Sequence, residues 1–363
     1  MTKINFYSGP SILPPEVLEQ SKGAIDDFAG MGLSILEISQ RAKPFVDVMD
    51  GARALVLELL GLGSEYEVLY LQGGASTQFY MIPYNLLDTN ETAGYIDTGT
   101  WANGALTEAK LFGNVHVIAS SQSSTYDHIP KVWDASGAPY KYIHITTNNT
   151  IYGTQWGADD MKKLRAYTDI LVADMSSEIF SRDIDYSMFD LIYAGAQKNM
   201  GIAGATVVII KKSILKNIQR VIPKMIDYNI QIENGSMKNT PSVFAVYVSY
   251  LTLQWIRKQS LQSIFAANER KARKLYEVLD SSKVFFGNVA KEDRSMMNVT
   301  FSMLDKGHDA DFSTFAKERG IVGLEGHRSV GGFRASIYNA MPESGVDSLI
   351  QAIKDFETGN YLM

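Results

Sequence analysis

The chain has 363 residues, of which 45% are hydrophobic and 20% charged, with a formal net charge of −6 and no cysteine. That length exceeds what one ordinary core spans and predicts two domains, while the acidic balance supplies no broad basic surface for nucleic acid or anionic lipid. The missing cysteines remove disulfides, thiolate metal sites and thiol nucleophiles together.

The opening MTKINFYSGPSILPP has no apolar stretch behind a basic start, and no apolar run approaches the roughly 18 residues of a membrane span, so a cytoplasmic chain is expected. Five histidines show no ligand spacing, and no metal site is expected. Residues 1–15 read as an extended, proline-rich segment. Pro14 and Pro15 suit the start of a helix over 16–29. A second helix is predicted over 44–60, where Phe45, Val48, Met49, Ala52, Leu55, Val56 and Leu59 recur at helical intervals. From there strand-like runs at 67–71, 93–97, 115–119, 142–145, 170–174, 191–194 and 205–210 alternate with helices from Ser76, from about Trp101 and over 158–168. This alternation predicts an α/β fold built on a mostly parallel, doubly wound seven-stranded sheet.

Three strand ends in that sheet carry chemistry. The first strand runs into Gly73-Gly74-Ala75-Ser76-Thr77, where free backbone N–H groups and the positive end of a helix favour a phosphate. The strand over 170–174 ends on Asp174. Lys198 follows 24 residues later, in a loop between the run 191–193 and the glycines Gly201 and Gly204. Ligands of open α/β sheets bind outside the carboxyl ends of the strands, so Asp174 and Lys198 can face one crevice. A lysine in a partly dry pocket becomes a nucleophile for Schiff-base chemistry, and a carboxylate across from it can keep a pyridine nitrogen protonated. Each feature alone has a plainer reading: a glycine turn as punctuation, a loop lysine as a solvated charge. Together they point to pyridoxal phosphate.

Further along, an apolar helix over 243–255 passes into an amphipathic one over 261–279, with a domain boundary expected near 257–260. Strands at 284–289, 296–303, 321–324 and 333–338, with helices at 309–319 and 343–358, predict a smaller C-terminal α/β domain. The expected division is an N-terminal segment 1–15 associated with the active site and the small domain, a large domain 16–257, and a small domain 258–363.

Seven stretches carry a family likeness: FYSGP at 6–10, QGGAS at 72–76, NNTIYGTQ at 148–155, ADMSS at 173–177, AGAQKN at 194–199, NTPS at 239–242 and GHRSVGGFRAS at 326–336. On these the chain resembles the phosphoserine aminotransferases, fold type I pyridoxal-phosphate enzymes, almost end to end. The resemblance implies that Lys198 is the catalytic lysine and Asp174 the partner of the pyridine nitrogen. It implies that Trp101 stacks on the ring and Thr150 bonds its phenolic oxygen. The cofactor phosphate falls to Ala75, Ser76 and Gln197, with Asn239 and Thr240 from a neighbouring subunit of a homodimer. Arg334 is implied to hold the substrate carboxylate, and Arg41, His327 and Arg328 the substrate phosphate. Gln40 stands where many members carry histidine. The activity implied is exchange of an amino group between glutamate and 3-phosphooxypyruvate. The cysteine-free composition disfavours the desulfurases of the same fold.

Other readings are another small-substrate aminotransferase of this fold (alanine–glyoxylate or serine–pyruvate type), a nicotinamide dehydrogenase and a binding protein without cofactor. The dehydrogenase lacks a GxGxxG after its first strand, since Gly61-Leu62-Gly63 precedes one.

Overall fold

The computed structural model describes residues 3–215 and 218–359; residues 1–2 of the expected N-terminal segment and 360–363 of the expected C-terminal domain lie outside them. The chain opens with β1 (Ile4–Asn5), α1 (Pro15–Asp26) and α2 (Lys43–Leu60). An alternating stretch follows: β2 (Tyr66–Leu71), α3 (Gly74–Leu86), β3 (Thr92–Asp97), α4 (Thr100–Ala109), β4 (Asn114–Ser120) and β5 (Ile143–Thr146). A short hairpin, β6 (Asn148–Asn149) with β7 (Thr154–Gln155), precedes α5 (Ala158–Arg165), β8 (Leu171–Asp174), β9 (Leu191–Gly195), β10 (Thr206–Lys211) and α6 (Tyr228–Glu233). The rest is α7 (Val243–Gln259), α8 (Leu261–Ser281), β11 (Phe285–Gly287), β12 (Asn298–Met303), α9 (Asp309–Glu318), β13 (Ile321–Val322), β14 (Phe333–Ser336) and α10 (Glu343–Thr358).

Seven strands form one sheet in the order β2-β10-β9-β8-β5-β3-β4. Only β10 runs against its neighbours, β2 and β9; the remaining pairings are parallel. Successive side chains of a strand point to opposite faces, and apart from the edge strand β4 both faces are covered, which explains why the other strands read as largely apolar runs. Val68, Tyr70, Val207 and Ile209 join the core under α2 and α7. Their neighbours Leu69, Leu71, Val208 and Ile210 join a second core with Phe79 and Ile82 of α3 and Leu106 of α4.

A third core gathers α8, α9 and α10 on the sheet β11-β12-β14, with Phe285, Phe301, Phe312, Phe333 and Phe356 packed ring to ring. The N-terminal segment is anchored here. β1 pairs in parallel with β13, and Phe6 is fully buried in this core. The residues after Phe6 are thereby carried across to the ends of β8 and β9. Helix α7 continues four residues past its expected end at 255. It meets α8 at Ser260, whose φ of 64° breaks the helix while its hydroxyl accepts from the Ser263 N–H as an N-cap.

Candidate active site

Three parallel strands and one glycine turn converge on a cavity of about 300 Å³. Across β5 and β8, Thr146 pairs with Asp174, and across β8 and β9, Asp174 pairs with Tyr193, so the strand ends are level. The turn after β2 holds Gly73 at φ +92° and Gly74 at φ +70°. A Cβ on Gly73 would lie 1.9 Å from Thr77 Oγ1, whose hydroxyl donates to the Gly73 carbonyl. Glycine is therefore obligatory, and α3 starts with Ala75 and Ser76 on the cavity wall. The first N–H groups of a helix have no partner within it, which makes that wall an anion cradle.

Asp174 is 4% exposed, and its Oδ1 accepts the Ser176 N–H at 2.9 Å. Burial raises its pKa; the Ser176 bond and the Lys198 charge partly oppose that. Opposite it, Lys198 Nζ donates to Thr150 Oγ1 at 3.0 Å. Burial pulls the lysine down to about 8, with Asp174 pushing up and Arg334 adding to the fall. Its loop is clamped by the N-terminal segment: Ser11 donates from its hydroxyl to the Lys198 carbonyl and from its N–H to the Gln197 carbonyl. Gln197 itself lines the cavity, as does Trp101, 38% exposed at the start of α4.

Arg334, on β14, enters from the C-terminal sheet. Its Nη2 donates to Ser8 Oγ at 2.7 Å and its Nη1 to the Thr150 carbonyl at 3.3 Å. Its Nε is buried without a partner among the described residues. An orphaned N–H on a cation is costly. His327 also lines the cavity; burial, then the charges of Arg334 and Arg328, lower its pKa. A buried carboxylate, an amine of lowered pKa, a helix N-terminus, an indole and an under-bonded arginine thus line one cavity. These residues fit pyridoxal phosphate.

Of the residues expected from sequence, Ala75, Ser76, Trp101, Thr150, Asp174, Gln197, Lys198, His327 and Arg334 surround the cavity. Four do not line it. Arg41 is exposed two residues before α2, and Arg328 is exposed beside His327. Asn239 lines a neighbouring cavity on the other side of the glycine turn. The Thr240 carbonyl accepts from Gln72 Nε2 at 2.8 Å. Sequence reasoning gave no role to Ser8, Asn148, Ser176 or Ser177, all of which line the cavity. The FYSGP motif and the serines after Asp174 were the available signals. Asn148 is tied to Ser177, Asn298 and Ser295 and so joins the hairpin to β12. Among the described residues, no group of three or more metal-ligating side chains occurs, and no helix is long and apolar enough to cross a membrane.

The model of the class-V aminotransferase family matches residues 4–349. The chain is 52% identical over 360 residues to the phosphoserine aminotransferase of Flavobacterium johnsoniae, with 99% of each covered. Among solved structures it is similar to the phosphoserine aminotransferase of Bacillus circulans subsp. alkalophilus, at 41% identity and a TM-score of 0.92 over 98% of both chains. It is also similar to the PLP-bound phosphoserine aminotransferase of Trichomonas vaginalis, at 34% identity and a TM-score of 0.89, covering 97% of this chain and 99% of that one.

Proposed function

The chain belongs to the class-V aminotransferase family, and from that premise we propose that it moves an amino group between L-glutamate and 3-phosphooxypyruvate, giving O-phospho-L-serine and 2-oxoglutarate, a step of serine biosynthesis. It is a pyridoxal-phosphate-dependent transaminase. The cofactor, when bound, supplies an aldehyde carbon that takes and returns the amino group and a ring that accepts electrons.

The residues divide that work by position. Lys198 would hold the cofactor's aldehyde carbon, and its free amine would move a proton at the substrate α-carbon. Its lowered pKa makes both tasks feasible near neutrality. Asp174 holds the proton on the pyridine nitrogen. The Thr150 hydroxyl, which accepts from Lys198, would donate its own proton to the ring's phenolic oxygen. Ala75, Ser76 and Gln197 would hold the phosphate, and Trp101 would pack on the ring. Arg334, pre-aligned by Ser8 and Thr150, takes the substrate carboxylate.

One observation carries the phosphorylated substrate. A carboxylate needs one arginine, yet His327 stands in the cavity close enough to Arg334 and Arg328 for both to lower its pKa. His327, held towards its neutral form yet still able to donate an N–H, and the Arg328 guanidinium next to it in sequence suit a second anion beyond the carboxylate. We assign Arg328 and Arg41 to the same phosphate, with Asn239 and Thr240 completing a partner's cofactor cradle in a two-fold homodimer. We read residues 16–257 as the large domain, residues 258–363 as the small one and 1–15 as the segment joining them, in an enzyme working in the cytoplasm.

The test is acceptor choice. With glutamate as donor, 3-phosphooxypyruvate should be used with a kcat/KM at least about a hundredfold above pyruvate or glyoxylate, the scale of one or two lost charge-assisted bonds. Preference for glyoxylate or pyruvate would leave a transaminase and remove the phosphate from the account.

A further inference from the structure

Behind the carboxylate of Asp174 lies a line of buried polar side chains that the account above leaves without a task. Tyr193 is the cross-strand partner of Asp174 between β8 and β9. His144 lies two residues before Thr146, itself opposite Asp174, so the period of two sets His144, Thr146 and Asp174 on one face. His144 Nε2 is 2.9 Å from the Tyr193 hydroxyl. Its ring stacks on Tyr95, centroids 5.0 Å apart and planes at 25°. Tyr193 is fully buried and His144 1% exposed. Tyr193 is set beside Asp174 by the cross-strand pairing and opposes the burial-driven rise of the carboxyl's pKa, while the carboxylate helps raise that of Tyr193. Nδ1 of His144 has no partner among the described residues.

The proton inventory allows few arrangements. Burial pushes the imidazole down to about 3, with only its own backbone pulling upward, so it is neutral and carries one N–H. The titratable groups acting on Tyr193 are Asp174, Tyr95 and Tyr228, and Lys198 acts on Asp174; none of those acting on Tyr193 is a cation. If the imidazole proton sits on Nδ1, that N–H meets only the residue's own backbone and makes no hydrogen bond among the described residues, and Nε2 must take the one proton Tyr193 has to give. Asp174 then loses that donor. If the proton sits on Nε2, only a bare lone pair is left unmatched, and the hydroxyl is free for the carboxylate.

We propose that Tyr193 and His144 are positioning residues for Asp174: neutral His144 donates from Nε2 to the Tyr193 oxygen, and Tyr193 donates to the carboxylate, holding it ionised and aimed at the pyridine nitrogen. The inference rests on Asp174 meeting that nitrogen.

The experiment uses the cofactor-loaded enzyme with 15N-labelled histidine and, separately, with cofactor labelled at the pyridine nitrogen. The imidazole signal that His144→Phe removes should show a proton on Nε2 and should not titrate between pH 5 and 9. A proton on Nδ1, or a titration in that range, overturns the proposal. Tyr193→Phe should raise the cofactor Kd roughly tenfold or more and move the pyridine signal toward the unprotonated form, with kcat falling more than KM changes. If Tyr193→Phe does not fold, His144→Phe should show the same shift, and His144→Gln, which can restore an N–H donor, should recover part of it. An unchanged pyridine signal in these variants, when Asp174→Asn does shift it, contradicts the relay alone. If Asp174→Asn leaves it unchanged as well, the assignment of Asp174 itself has failed.

Discussion

Lys198 donates from Nζ to the Thr150 hydroxyl across 3.0 Å, tying the loop after β9 to the tip of the β6–β7 hairpin. The amine is thereby held at one place in the cavity before any ligand arrives, within the field of Asp174 and Arg334.

With its pKa brought down to about 8, roughly a tenth of Lys198 is neutral at pH 7, against a negligible fraction for an ordinary lysine. Covalent capture of pyridoxal phosphate by cofactor-free protein should therefore accelerate with pH and level off above about 8. Stability has the same origin. The folded chain binds fewer protons than the unfolded one between about 8 and the ordinary lysine value of 10.5, so cofactor-free protein should gain stability as pH rises through that window. Lys198→Met should abolish this part of the slope in denaturant titrations. Borohydride treatment of the loaded enzyme should leave the cofactor on the Lys198 peptide, and a label elsewhere would refute the assignment.

Asp174→Asn should fold, because the Ser176 N–H can still be accepted by an amide oxygen. It loses a charge-assisted bond worth about 1.5–3 kcal/mol to the pyridinium, together with its effect on the ring. Turnover should fall by far more than tenfold, with secondary structure unchanged by circular dichroism. Near-normal turnover would remove Asp174 from its role.

Arg334 and Arg41 should separate by substrate. Every amino donor has an α-carboxylate, so Arg334→Lys, which gives up the forked geometry, should raise KM for O-phosphoserine and glutamate alike. Arg41→Ala should cost O-phosphoserine at least about tenfold in kcat/KM and serine little, since only the former carries the second anion. Equal losses for both would place Arg41 outside the phosphate site.

Asn239 and Thr240 are tested by mixing chains. A Lys198→Ala chain paired with an Asn239→Ala, Thr240→Ala chain collects both lesions in one site if the loop crosses to the partner, leaving the other site intact. Recovery of about one native site per mixed dimer is expected. No recovery would show that the loop serves its own chain.

The inner strands of the large sheet were legible because they are buried on both faces and read as apolar runs, as in Leu191-Ile192-Tyr193. The hairpin around Thr150 was not, since two-residue strands carry no periodicity, and its turn is marked only by Gly153 at φ +84°. β1 was hidden for the same reason: a two-residue strand pairs with a partner more than 300 residues away. Lys198 and Asp174 could be inferred from strand-end position. Ser8 could not, because its bond to Arg334 joins the two ends of the sequence. The roles of Arg41, Arg328, Asn239 and Thr240 came from family likeness, though Arg328 also clusters in sequence with His327 and Arg334, and in the single chain none of the four lines the cavity.

The most direct test of the central claim is a single-turnover mixing of loaded enzyme with O-phosphoserine or serine, with no oxo-acid acceptor present, following the cofactor's absorbance. At equal, sub-saturating concentrations, O-phosphoserine should convert the cofactor at a rate about a hundredfold above serine, one equivalent per Lys198. Conversion by serine at an equal or greater rate would contradict the account.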